Sequence, residues 1–185
     1  EWRDGAANSR MDSVVTEEPL SISIIEGGLR SNLGVVMRTP GDDHHLVLGW
    51  LCGEGLSFSI EEILVEFPDM NIAEVSNLGS ESMLDKIESR KTTTGSSCGL
   101  CGRHSIEDLL LPDLSGLGEK GGMNPEMIRS LSGKMSEAQP AFKETGGIHA
   151  AFLFDKGGEL VCSKEDVGRH NAVDKIVGWT LEIGR

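Results

Sequence analysis

The sequence predicts a mixed α/β chain of the α+β kind on three observations. Alternating apolar runs broken by glycine turns mark a β-hairpin near each end, apolar residues at helical spacing occupy several other segments, and strand and helix patterns alternate along the chain. The 185 residues suffice for one substantial domain or two small ones, and a hydrophobic share of 38% permits a true core. Aromatics make up only 4% and Tyr is absent, so that core must consist mainly of Leu, Ile, Val, Ala and Met.

Leu20 to Ile25 reads as a strand, Glu26-Gly27-Gly28 as its turn and Leu33 to Arg38 as the returning strand. Thr39-Pro40-Gly41-Asp42 breaks that strand. A helix follows with Leu46, Leu48, Trp50 and Leu51 as apolar positions, ending near Gly53 and Gly55. Ser59-Ile60-Glu61-Glu62 has the form of a capping box, which predicts a short helix there. Residues 72–94 are ambiguous, with a strand or two and a short helix around Met83 to Ile87. Ser105 to Asp108 resembles another helix start, and Leu114 to Gly122 is a Gly-rich connector. Asn124-Pro125 is an N-cap followed by proline at the first helical position, and Met127, Ile128, Leu131 and Met135 share one face of the helix after it. Ile148 to Phe154 and Glu159 to Ser163 form the second strand pair about the turn Asp155 to Gly158. Gly168 to Leu181 reads as a helix with Ala172, Val173, Ile176 and Val177 toward a core. The expected division is an N-terminal α+β domain over 12–92, a mobile loop and connector over 93–122, and a further domain over 123–185. The pattern stops directly after a helix, so more chain is expected beyond Arg185.

The formal charge is −13, which argues against general nucleic-acid binding. Residues 1–90 carry 17 acidic and 6 basic side chains, and residues 91–185 carry 13 and 11, so an anionic ligand fits the second half better. The acidic first half reads equally as a solvated face. No basic-then-apolar leader opens the sequence and no apolar run reaches membrane-spanning length. A cytoplasmic protein with reduced thiols is therefore expected, without a membrane partner.

Three constellations carry chemistry. Cys98-Gly99-Leu100-Cys101 sits in a run of glycines and small hydroxyl residues, Thr94 to Gly102. Two thiols at that spacing can ligate a metal, cycle as a dithiol, or carry a persulfide; each needs thiolate, which Arg103 and His104 would favour. A zinc site wants four ligands, and Cys98, Cys101, His104 and His149 would have to supply them. Thr145-Gly146-Gly147-Ile148-His149-Ala150-Ala151 places paired glycines before a strand, where backbone can approach a ligand closely, although a strand histidine is commonly a satisfied core residue. Deaminase chemistry is disfavoured because the residue two after His149 is Ala151, not Glu. Glu165 to Lys175 gathers polar residues at a strand-to-helix transition. There Asp166 is placed to cap the helix, the Gly168–Arg169 helix start to hold an anion, His170 and Asp174 to hydrogen-bond at i and i+4, and Lys175 to reach a phosphate. The same segment also reads as a capped surface helix. Cys52 and Cys162 lack any motif and read as buried small hydrophobes, and His44 and His45 as surface or capping residues.

Taken together these segments resemble the FdhD family of formate dehydrogenase accessory proteins. The resemblance rests on Glu17-Glu18-Pro19-Leu20, Arg38 to Asp42, Gly49-Trp50-Leu51 with Gly53-Glu54-Gly55, Ser96 to Gly102, Thr145 to Ala151 and Glu165 to Lys175, in the family's order. The last is the most specific. The resemblance implies a small N-terminal domain followed by a cytidine-deaminase-like three-layer α/β domain, and a homodimer. It implies a sulfurtransferase: a cysteine desulfurase would deliver sulfur to Cys98 as a persulfide, with Cys101 assisting transfer or release. The acceptor would be the molybdenum (or tungsten) bis-guanine-dinucleotide cofactor needed by formate dehydrogenase, with no permanently bound metal in this chain. Gly146, Gly147, His149, Asp166, Gly168, Arg169, His170, Asn171, Asp174 and Lys175 would line the cofactor pocket. Leu100 stands where the family more usually has Val, and the family continues beyond this C-terminus. A different class of reading is a non-enzymatic chaperone that binds the pterin cofactor or the apo-enzyme, its cysteines only steadying a loop.

Overall fold

A computed structural model describes residues 2–3, 6–7, 11–56, 58–78 and 124–184. The loop expected at Cys98–Cys101, the helices expected around Met83 and from Ser105, and the connector expected over Leu114 to Gly122 lie outside these residues.

Strands β1 (Glu18–Glu26) and β2 (Leu29–Arg38) form the first hairpin. Gly27 and Gly28 have φ of 57° and 78°, the pair of positive values that a two-residue turn between right-twisted strands requires. Helix α1 (Asp43–Gly53) follows, then β3 (Leu64–Asp69) and β4 (Ile72–Ser76). The sheet order is β2-β1-β4-β3, with β1 parallel to β4 and the other pairs antiparallel. Leu20, Ile22 and Ile24 of β1, with Ala73 and Val75 of β4, meet Leu46, Val47 and Leu51 of α1 in a buried cluster. Each such Leu, Ile or Val side chain removed from water contributes on the order of 1.5–3 kcal/mol.

The second part of the chain contains α2 (Pro125–Glu137), α3 (Pro140–Thr145), β5 (His149–Phe154), β6 (Leu160–Asp166) and α4 (Arg169–Glu182). Asn124 caps α2 by accepting from the Glu126 N–H at 2.8 Å, as its sequence position predicts. Helix α2 buries no residue completely, and its Ile128 is 53% exposed; Met127 and Leu131 lie against Gly158 in the hairpin turn. Strands β5 and β6 pair antiparallel, with His149 opposite Asp166. α4 packs on this hairpin and, on its other side, on α1.

The resulting order of layers is four-stranded sheet, α1, α4, two-stranded hairpin. α1 therefore has neighbours on two sides, and Leu46, Val47, Leu48, Gly49 and Leu51 are all buried. A helix covered on both sides has no polar stripe to find in its sequence. Two glycines allow the close crossing of the helices: a Cβ at Gly49 would overlap the backbone carbonyl of Asp174, and one at Gly178 would overlap that of His45.

Three expectations are corrected. Ser59 to Glu62 forms a turn rather than a helix: the N–H groups of Glu62 and Ile63 both bond Ser59 O, and β3 starts one residue later. The apolar pattern from Ile63 onward is claimed by the sheet before a helix can continue. Cys52 points outward from α1 and is exposed, and Cys162 is half-buried. Val173 is 51% exposed; Asn171 and Lys175 take the buried positions on α4 beside Ala172 and Ile176.

Candidate functional site

Glu165 and Asp166, adjacent at the end of β6, point to opposite faces as strand geometry demands. The Glu165 carboxylate accepts from the N–H groups of Ala141 (3.0 Å) and Phe142 (2.8 Å) and so holds the start of α3. α3 ends at Gly146, whose φ of 64° suits a left-handed helix stop, and Gly147 and His149 follow in exposed positions.

Asp166 turns inward and is fully buried. Its Oδ1 accepts from the Gly168 N–H and from Asn171 Nδ2, both at 2.8 Å. Its Oδ2 accepts from the Thr39 N–H at 3.1 Å and lies 2.7 Å from Lys175 Nζ. Asp166 therefore does not cap α4 in the expected way. The cap position is Gly168, no side chain caps the helix, and Asp166 braces the turn before it. Lys175 does not extend to solvent either. Its ammonium also donates to Thr39 O (3.0 Å) and Glu165 O (3.3 Å), so its three donors are matched to three oxygens. Asn171 Nδ2 donates in addition to Met37 O at 2.7 Å.

The other expected residues divide by exposure. Arg169 and His170 are exposed at the start of α4. His170 projects outward while Asp174 packs at the α1 crossing with its carboxyl beside Gly53, so the expected bond between them is not made. Burial pushes the Asp174 carboxyl up to about 6, with the charges of Glu54 and Asp166 adding to the effect. Because His149 faces Asp166 across the hairpin, Gly146, Gly147, His149, Gly168, Arg169 and His170 all come to one end of β5 and β6. Cys98 and Cys101 lie outside the described residues. Among the described residues, no group of three or more His, Cys, Asp or Glu is arranged to hold a metal.

Residues 37–43, which the sequence showed as a strand break and a motif, also join the two parts of the chain, a role that sequence reasoning missed. Arg38 is 1% exposed; its guanidinium makes paired 3.0 Å bonds to Asp43 and donates to Asn71 Oδ1, Met70 O and Glu18 O. Asp42 adopts φ 55° and accepts from Lys164 Nζ at 2.7 Å. Burial alone would raise the Asp42 carboxyl, but the Lys164 hydrogen bond and charge, with His45 adding, hold it below the usual carboxylate range. His45 bridges Asp42 (3.3 Å) and Glu182 (2.7 Å). Burial, ahead of the opposing pull of Lys164, pushes the Cys162 thiol up, which argues against a reactive thiolate there. The available signal was the density of Arg, Thr and Asp at a strand break.

The sequence profile of the FdhD/NarQ family matches residues 15–185. The chain is 39% identical over 194 residues to the sulfur carrier protein FdhD of Streptomyces avermitilis, covering 98% of this chain and 67% of that protein. It is 41% identical over 181 residues to the sulfur carrier protein FdhD of Thermoplasma acidophilum, covering 94% and 63% respectively. Its fold resembles the crystal structure of a candidate formate dehydrogenase accessory protein from Desulfotalea psychrophila, with a TM-score of 0.64 and 22% identity over 97% of this chain and 62% of that one. The chain thus spans roughly two thirds of the length of these relatives.

Proposed function

Since this chain belongs to the FdhD/NarQ family, we propose that it carries sulfur from a cysteine desulfurase to the molybdenum (or tungsten) bis-guanine-dinucleotide cofactor that formate dehydrogenase requires. The observation that carries this reading is the family match, which includes Cys98 and Cys101 and extends to proteins named as sulfur carriers.

The chemistry balances for one turnover with the two thiols of the sequence, and a cellular dithiol reductant then returns the resulting disulfide to the two thiols. The Cys98 thiolate attacks the outer sulfur of the desulfurase persulfide, the donor S–S bond breaks, and the desulfurase thiolate leaves. Attack by the Cys101 thiolate on Cys98 Sγ then forms the Cys98–Cys101 disulfide and releases sulfide to the acceptor; the two electrons come from the thiols. Because one sulfur must meet two partners, a small-residue loop such as Thr94 to Gly102 suits the task.

The cofactor, as cargo, requires a place for phosphate and guanine. The end of the β5–β6 hairpin supports that assignment: α4 has a glycine cap, Arg169 and His170 are exposed beside it, and Gly146, Gly147 and His149 adjoin across the hairpin. We assign these exposed residues as the contacts, and Asp166, Asn171 and Lys175 as the frame beneath them, with Asp174 behind at the helix crossing. Replacing Cys98 by Ala in cells that depend on this protein should abolish formate dehydrogenase activity while the purified variant still binds GDP. Full activity with Cys98→Ala would instead establish the chaperone reading.

A further inference from the structure

All three polar groups of Thr39 are engaged by β6, α4 and the turn between them. Its N–H donates to Asp166 Oδ2 at 3.1 Å, its C=O accepts from Lys175 Nζ at 3.0 Å, and its Oγ1 accepts from the Val167 N–H at 3.1 Å. Its backbone thus bonds both members of the buried Asp166–Lys175 pair, and its hydroxyl holds the residue between Asp166 and the helix cap Gly168. Thr39 is distant in sequence, at the end of β2, which belongs to the other sheet. Two neighbours reinforce this attachment: Met37 O receives Asn171 Nδ2, and Asp42 receives Lys164 Nζ.

We propose that Thr39 is a positioning residue for the anion-binding end of α4, so that the N-terminal sheet sets where Arg169 and His170 sit. This rests on the cofactor-pocket reading above. The Val167 N–H in that turn is held by Thr39 Oγ1, an acceptor from outside the β5–β6 hairpin. Without that acceptor, Val167 loses a bond in a part-buried setting, and the first turn of α4 loses its fixed relation to β6. A turn that wanders weakens a ligand held by backbone N–H groups more than it weakens the fold, because the Asp166–Lys175 pair and the helix crossing persist.

The test uses the full chain, with Thr39→Val (same shape, no hydroxyl) and Thr39→Ser (hydroxyl kept). Amide hydrogen exchange is read at Val167 and Gly168, and affinity for GDP by calorimetry. Thr39→Val should speed exchange at Val167 and weaken GDP binding by about tenfold, the scale of one lost hydrogen bond. Thr39→Ser should restore both to within about twofold, since its hydroxyl occupies the same acceptor position. GDP binding that Thr39→Val leaves unchanged, or Val167 exchange that does not respond, would overturn the positioning role. Failure of the unaltered protein to bind GDP would overturn the pocket itself, a result separate from the exchange data.

Discussion

The ammonium of Lys175 lies 2.7 Å from the carboxylate of Asp166, and their side chains are only 2% and 0% exposed. The pair sits where β6, α4 and the end of β2 meet. Every remaining acceptor and donor site of the two groups is taken by Thr39, Gly168, Asn171 or Glu165. Such a pair is costly to halve, because the remaining charge stays buried without its partner.

Lys175→Met should therefore destabilise the protein by about 3–5 kcal/mol in urea denaturation. Lys175→Met combined with Asp166→Asn should recover part of that loss, since no net charge is then buried alone. A single-variant loss of under about 1 kcal/mol would show that the site admits water and that the pair resembles a surface bridge.

The helix crossing makes a prediction by contrast. Gly49→Ala and Gly178→Ala each drive a methyl group into backbone carbonyl, of Asp174 and His45 respectively, and should cost about 1–3 kcal/mol or more. Gly133→Ala, in α2 with nothing within 4 Å of the new methyl group, should gain roughly 0.5–1 kcal/mol. Thermal denaturation of the three variants gives the comparison.

Asp174 sets a pH dependence. Its folded carboxyl titrates at about 6 against an ordinary value of 3.8. Between those values the folded state holds the proton and the unfolded state does not, so this group's contribution to stability falls as pH rises through the window. Asp174→Asn should flatten the dependence from pH 4 to 6 and stabilise the protein relative to the parent at pH 7. Denaturation midpoints at pH 4, 5, 6 and 7 for both proteins check this; parallel curves would contradict it.

Arg38→Lys should fail to substitute. A lysine cannot reproduce the paired bonds to Asp43 while also reaching Asn71 Oδ1, Met70 O and Glu18 O. The expected loss is about 2–4 kcal/mol by urea denaturation, because buried acceptors are left unmatched.

Much of this was legible in the sequence. The two hairpins stood out because alternation with period two and their glycine turns are local signals. The Asn124 cap and the end of α1 were readable for the same reason. Ser59 to Glu62 misled because a capping box states only what the local chain permits, and the strand demand of Ile63 to Val65 prevailed. The buried face of α4 was misread at Val173 because Asn171 and Lys175 enter the interior only with partners on Met37, Thr39 and Asp166. The contacts of Asn171 with Met37 and of Lys175 with Thr39 cross more than 130 residues and leave no periodic trace. The motifs Arg38 to Asp42 and Glu165 to Lys175 were each visible, but not that one clasps the other.

Cys98 is the proposed sulfur carrier. Intact-protein mass spectrometry after incubation with a cysteine desulfurase and cysteine tests this role most directly, with Cys98→Ala and Cys101→Ala alongside. The expected result is a reducible gain of about 32 Da per sulfur, lost in Cys98→Ala and retained in Cys101→Ala. No gain in the unaltered chain, with a desulfurase shown to be active on another acceptor, would contradict it.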